Sequence, residues 1–233
     1  MSKTVVITGG SRGIGKAVAE KFAKEGYNLA VCARSEQDLI SLGQALHGYG
    51  IKILAYACDL SKPEEAKAFA AKVNTAYGAV DVIVNNAGTF VPGRVIDEAE
   101  GTLEKLMDTN LYSAYHLTRA LLQPMLQRKG GHIFNMCSVA SIKEYPNGGS
   151  YSISKFALLG FSKALREELK PYRIKVTALL PGATYTDSWA TSGLPQERFM
   201  KPEDIAEIIW TAANLSEGAV MEEVLLRPLE GDI

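Results

Sequence analysis

Short apolar runs rich in β-branched residues alternate along the chain with longer segments in which apolar positions recur every three or four residues. The short runs predict strands over 4–8, 28–33, 51–57, 80–85, 132–137, 174–180 and 221–227. The longer segments predict helices over 13–24, 35–46, 61–77, 103–127, 150–169 and 202–213. In the first of these, Ile14, Val18 and Phe22 fall on one face. Runs such as Val82-Ile83-Val84 are apolar on successive residues, as in strands covered by helices on both sides of a parallel sheet. Alternation of strand and helix therefore predicts an α/β fold with a doubly wound parallel sheet of about seven strands. A length of 233 residues suits one domain spanning 1–233. The least periodic stretch is about 182–201, and irregular connections of that length in compact domains commonly serve as lids.

Composition narrows the partners. With 25 Lys and Arg against 26 Asp and Glu, the net charge is −1, so no basic surface calls for nucleic acid or an anionic membrane. No apolar run approaches the roughly 20 residues of a membrane span. Met1 leads directly into strand-like residues without a signal-peptide core, which makes the cytoplasm the expected location. Cys32, Cys58 and Cys137 lie in or beside apolar strand-like runs; they read as buried small hydrophobes rather than disulfide partners. His47, His116 and His132 show no ligand spacing, and no metal is expected.

Chemistry first enters between the first strand and first helix, at Thr8-Gly9-Gly10-Ser11-Arg12-Gly13-Ile14-Gly15. Glycines there permit a tight turn and close approach of a pyrophosphate to a helix N-terminus. This TGxxxGxG spacing resembles the nucleotide loop of the short-chain dehydrogenase/reductase family, whose fold is Rossmann-like. Other motifs of that family follow in order along the whole chain. Asp59-Leu60 stands where the family contacts adenine, and Asn85-Asn86-Ala87-Gly88 resembles its NNAG turn. Pro181-Gly182, Thr184 and Thr186 stand where it binds the nicotinamide carboxamide and nearby phosphate; position 184 is more often valine or isoleucine in the family. The resemblance thus implies a cofactor site of Gly9, Ser11, Arg12, Gly13, Ile14, Gly15, Arg34, Asp59, Leu60, Asn86, Ala87, Gly88, Tyr151, Lys155, Pro181, Gly182, Thr184 and Thr186. The second strand ends in Val31-Cys32-Ala33-Arg34-Ser35, without the acid that would hold both ribose hydroxyls of NAD(H). Arg34 and Arg12 can converge instead on a 2′-phosphate, so NADP(H) is the expected cofactor.

Tyr151 and Lys155 are four residues apart in a predicted helix, one turn apart on one face. A phenol ordinarily titrates near pH 10, and a neighbouring ammonium favours its ionised form, which makes it usable for proton transfer. Ser138, directly after the fifth strand, and Asn110, in the long helix after the fourth, match the family's remaining catalytic positions. The resemblance implies that Ser138 binds the substrate oxygen and Tyr151 exchanges its proton. It further implies that Lys155 binds the nicotinamide ribose, and that Asn110 bends its helix and holds a water that relays protons toward the lysine. The implied activity is hydride transfer between NADP(H) and a small carbonyl or alcohol.

The substrate side of such a fold lies beyond the carboxyl ends of the strands, which makes Phe90, Tyr145 and Trp189 candidate apolar walls, with Glu144 and Arg198 as candidate polar contacts. The final segment, from Glu222 to Ile233, departs from the glycine-rich end of many family members. It resembles a branch holding broad-specificity 3-hydroxy acid and small-alcohol dehydrogenases. Two other readings stand beside the leading one: a 3-oxoacyl-[acyl-carrier-protein] reductase, which needs a basic patch near the pocket, and a non-catalytic NADPH-sensing regulator, which would not need the retained tyrosine and lysine. Apolar faces on the helices over 103–127 and 150–169 match those that pair family members into a homodimer, with a homotetramer as the larger assembly.

Overall fold

The computed structural model describes residues 2–144, 146–189 and 192–233. Seven strands, β1 (Thr4–Thr8), β2 (Asn28–Ala33), β3 (Ile53–Ala57), β4 (Val82–Asn85), β5 (Gly131–Met136), β6 (Ile174–Pro181) and β7 (Glu223–Leu226), form one sheet. Every pairing is parallel, and the order is β3-β2-β1-β4-β5-β6-β7. Helices α1 (Gly13–Lys24), α2 (Glu36–Leu46), α3 (Pro63–Tyr77), α4 (Thr102–Met107), α5 (Ser113–Arg128), α6 (Gly149–Leu169) and α7 (Pro202–Ala213) pack on its faces. None is long and apolar enough to cross a membrane.

Two cores explain the unbroken apolar runs. Val5 and Ile7 of β1 face one cluster, where they meet Phe22 of α1 and Ile205 and Ile209 of α7. Val6, between them, faces the other, with Phe69 and Val73 of α3 and Leu117 and Leu121 of α5. Residues of the central strands β1 and β4 thus leave water whichever way they point, which is why polar alternation is missing there. Burial of side chains this large is worth about 1.5–3 kcal/mol each, so the two layers supply most of the force holding helices on sheet.

The strand order reverses between β1 and β4, opening a crevice beyond their carboxyl ends. Three differences from the expected elements matter. Residues 51–52 precede β3, Lys52 donating its amide to the Asn28 side chain at 3.0 Å. Residues 80–81 precede β4, where the Asp81 carboxylate takes the Thr4 amide at 2.7 Å. The long helix expected over 103–127 is interrupted: a π-helical turn, Asp108–Tyr112, separates α4 from α5. Its wider spacing admits one extra residue per turn and carries Asn110 inward, where 1% of its surface remains exposed.

Inside the sheet, His132 is buried and stacked on Phe134, with ring centroids 3.9 Å apart. Its Nε2 lies 2.7 Å from the Thr177 hydroxyl, which itself donates to the Met221 carbonyl at 2.5 Å. Thr177 must therefore accept from Nε2–H, leaving Nδ1 bare in an apolar setting. Burial, helped by the charge of Lys175, pushes this imidazole down to about 3. The unfolded chain, with an ordinary imidazole near 6.5, then binds a proton that the folded chain refuses, and stability is lost as pH falls from about 6.5 toward 3. Urea unfolding at about pH 7 and about pH 4.5 is expected to show His132→Gln losing roughly 2–3 kcal/mol less than the wild type across that interval. Equal losses in the two proteins would contradict this assignment.

Candidate active site

The site begins with a turn that only glycine can build. Gly13 opens α1 with φ of +51°, a left-handed conformation that a side chain disfavours. A Cβ on Gly15 would lie 2.3 Å from the Gly9 carbonyl oxygen and 2.6 Å from Nδ2 of Asn86. Helix and turn therefore approach more closely than any other residue allows. Arg12, at the N-cap of α1, supplies no side-chain cap, so the first amides of the helix are left for an external acceptor.

Thr8 and Asn86 tie this turn to the end of β4. The Thr8 hydroxyl accepts the amides of Asn86 (2.9 Å) and Ala87 (2.8 Å), while Asn86 Nδ2 donates to the carbonyls of Thr8 (2.9 Å) and Gly9 (3.2 Å). Asn86 thus acts through its side chain on the glycine turn itself. Sequence reasoning quoted Thr8 within its motif and gave it no part; the signal was a hydroxyl at the switch point.

A cavity of about 770 Å³ runs from this turn across the carboxyl ends of β1, β2 and β4. Gly9, Ser11, Arg12, Gly13, Ile14, Arg34, Asp59, Leu60, Asn86, Ala87, Gly88 and Thr186 all line it, so most of the expected cofactor positions come together. Asp59 is held by Ser61, whose amide and hydroxyl donate to Oδ1 at 3.1 and 2.8 Å. Burial pushes its carboxyl upward, but those hydrogen bonds and the charges of Lys62 and Arg34 bring it below the usual range. Cys32 and Cys58 also line this end. Burial drives the Cys32 thiol well up, and its hydrogen bond draws that of Cys58 down; all three cysteines are free and buried.

Arg34 is exposed on the rim. Arg12 leans on two carboxylates, Asp38 of α2 and Asp187, each at 3.4 Å. An acid absent from the end of β2 thus stands five residues beyond it, as Asp38 in the first turn of α2, where it faces an arginine. Pro181 ends β6 beside Leu226, and Gly182 lies against Pro228 of the tail. The Thr184 hydroxyl donates to the Gly182 carbonyl at 3.2 Å and is buried, outside the cavity wall.

Beyond Phe90, an aromatic residue of the cavity wall, sit the residues singled out for catalysis. The Phe90 ring meets that of Tyr151 edge-on at 4.9 Å. Lys155 is 6% exposed, its Nζ donating to the Met136 carbonyl at 2.8 Å and standing 5.7 Å from the centre of the Tyr151 ring. Asn110 accepts the Thr89 amide at 2.7 Å and donates to the Thr89 carbonyl (3.0 Å) and the Ser154 hydroxyl (2.9 Å). Gly88 joins the two halves: a Cβ there would meet Asn110 Oδ1 at 3.2 Å and Lys155 Nζ at 3.5 Å. Ser138 caps a short 3₁₀ turn, Val139–Ser141, that packs on α6. Its oxygen accepts the Ala140 amide at 3.1 Å, which leaves its proton to donate elsewhere.

The stretch over 182–201 is less open than its lack of periodicity suggested. Thr184 bridges Met200 at its base, and the rings of Tyr185 and Trp189 pack on Phe199 at 5.7 and 5.3 Å. Arg198 donates to the carbonyls of Gly231 (3.0 Å) and Asp232 (3.1 Å), so it clasps the tail rather than facing the crevice. Glu144 is exposed, and Tyr145 lies outside the described residues.

The chain is similar to known proteins in sequence and in fold. Residues 3–196 match the profile of the short chain dehydrogenase family. The sepiapterin reductase of Chlorobaculum tepidum is 32% identical, with 100% of this chain and 99% of that protein covered. A 3-oxoacyl-[acyl-carrier-protein] reductase of Chlamydia muridarum is 33% identical over 93% of this chain and 92% of its own length. Among solved structures, an alcohol dehydrogenase from the archaeon Thermococcus sibiricus, complexed with 5-hydroxy-NADP, superposes with a TM-score of 0.90 at 31% identity, covering 98% of this chain and 97% of that one. Sequence, topology and crevice thus agree: the chain belongs to the short-chain dehydrogenase family, as an oxidoreductase acting between carbonyl and alcohol groups.

Proposed function

We propose that the protein is an NADP(H)-dependent carbonyl reductase or alcohol dehydrogenase whose proton relay is Tyr151, Lys155, Ser138 and Asn110. The observation that carries this reading is the buried Lys155 ammonium, one helical turn from Tyr151 and beside the cavity-lining Gly88. A nicotinamide cofactor fits the chain's own features: a glycine turn that a Cβ would fill, uncapped amides at the start of α1, and Arg12 and Arg34 on the rim. Bound there, it supplies the hydride at nicotinamide C4.

The protein's share is to hold the substrate oxygen and move a proton. Ser138, its acceptor site engaged by Ala140, presents its O–H to the substrate oxygen. Tyr151 gives the proton to that oxygen in reduction and takes it in oxidation, and the Lys155 cation favours the negative charge left on the phenol. Asn110, locked to Thr89 and Ser154, holds the π turn in place behind the lysine. The carrier-protein alternative has a relative in its favour, but it needs a basic patch near the pocket, and Arg198 of the 182–201 stretch is taken by the tail. Leu103, Tyr112, Ile153 and Phe156 on α4, the π turn and α6 are 37–46% exposed. They support a homodimer through these faces; sedimentation as a monomer would contradict it.

Tyr151→Phe is expected to lower kcat by about 10²–10⁴-fold while the Kd for NADPH, read from cofactor fluorescence, changes little. Near-normal turnover would defeat the assignment. Arg34→Asp is expected to shift the ratio of kcat/KM for the two cofactors toward NAD(H), because an aspartate repels a 2′-phosphate and accepts ribose hydroxyls. An unchanged ratio would remove Arg34 from cofactor selection.

A further inference from the structure

The helix bearing Tyr151 and Lys155 begins without a cap of its own. Gly148 occupies the N-cap position and offers no side chain, although the first amides of any helix need acceptors. The acceptor comes from far away in sequence: Oε1 of Glu98 takes the Ser150 amide at 2.9 Å. A second observation shows that the neighbouring backbone leaves room for this carboxylate. Gly149 has φ of +30°, and a Cβ on it would lie 2.4 Å from Glu98 Oε1 and 2.4 Å from the Gly93 carbonyl oxygen. Gly93 in turn lies against the Glu98 side chain, and its amide donates to the Asn147 carbonyl at 3.0 Å. The same segment starts at Phe90, whose ring meets Tyr151.

We infer that Glu98 is a positioning residue for the proton donor: its carboxylate caps the catalytic helix in trans and sets the height and rotation of the turn that carries Tyr151. A negative charge at this end also complements the helix dipole. The chain segment over 90–98 thereby grips α6 at two points, a ring on the phenol and a carboxylate on the amide one residue before it. This inference rests on Tyr151 being the proton donor; Glu98 itself lines no part of the cofactor cavity.

Glu98→Ala, Glu98→Gln and Gly149→Ala separate the possibilities. For Glu98→Ala, kcat is expected to fall on the order of tenfold, with the Kd for NADPH within about twofold of wild type, because small misplacements of a reacting group weigh on turnover rather than on cofactor binding. Glu98→Gln, whose amide oxygen still accepts from Ser150, restores most of kcat. Gly149→Ala reproduces the alanine defect with Glu98 intact. Hydrogen exchange across 149–152 is faster in Glu98→Ala and near wild type in Glu98→Gln. A wild-type kcat in Glu98→Ala, or a Glu98→Gln enzyme as slow as Glu98→Ala, overturns the inference. Exchange is independent of the chemistry: unchanged exchange in Glu98→Ala removes the cap whatever Tyr151 does, whereas a fully active Tyr151→Phe enzyme removes the proton donor and leaves the cap standing.

Discussion

An ammonium group with little access to water must be given a partner, and the active-site half of this molecule is arranged around one. Lys155 is 6% exposed, and its Nζ donates to the carbonyl of Met136 in β5. Desolvation makes that placement costly unless donors are satisfied. Little solvent intervenes between its charge and its neighbours: burial pushes the Cys137 thiol up, and this cation works against that rise. Gly88 lets the lysine and Asn110 crowd together: a Cβ there would press on Asn110 Oδ1 at 3.2 Å while resting in ordinary contact with Lys155 Nζ at 3.5 Å. The π turn carries Asn110 inward, and the hydrogen bonds of Asn110 to Thr89 and Ser154 stop it from retreating. The proposed role of Tyr151 follows from standing one turn from that cation on α6, and that of Ser138 from capping the turn packed against the same helix.

The other half is set by the sheet. Because strand order reverses between β1 and β4, the helices that follow them diverge and leave a crevice. Thr8 and Asn86 hold the two strand ends together beneath it, so the glycine turn is braced by hydrogen bonds rather than left to its own flexibility. A short path joins the halves, from Asn86 through Gly88 to Lys155. A cofactor lying on the turn is thereby placed in register with the residues proposed to move the proton.

Element type was legible wherever burial dictates pattern. The seven apolar runs are the seven strands, and Gly13–Lys24 and Pro202–Ala213 have the bounds their periodicity predicts. What escaped was set by side chains acting across the chain. The break at Asp108–Tyr112 escaped because the segments on either side of a π turn both keep helical spacing, so the run reads as one helix. The pairing of Arg12 with Asp38 and Asp187, the clasp of Arg198 on the tail, and Glu98 on Ser150 join residues 26–175 positions apart. No periodicity reports such contacts.

The central claim is that the charge of Lys155, beyond its bulk, makes Tyr151 a working proton donor. Lys155→Met keeps the length of the side chain and removes the cation, and steady-state turnover with NADPH measures the consequence. The account predicts a fall in kcat of about 10²–10⁴-fold with the far-ultraviolet circular dichroism of the native fold retained. A methionine enzyme that turns over at the wild-type rate would contradict it.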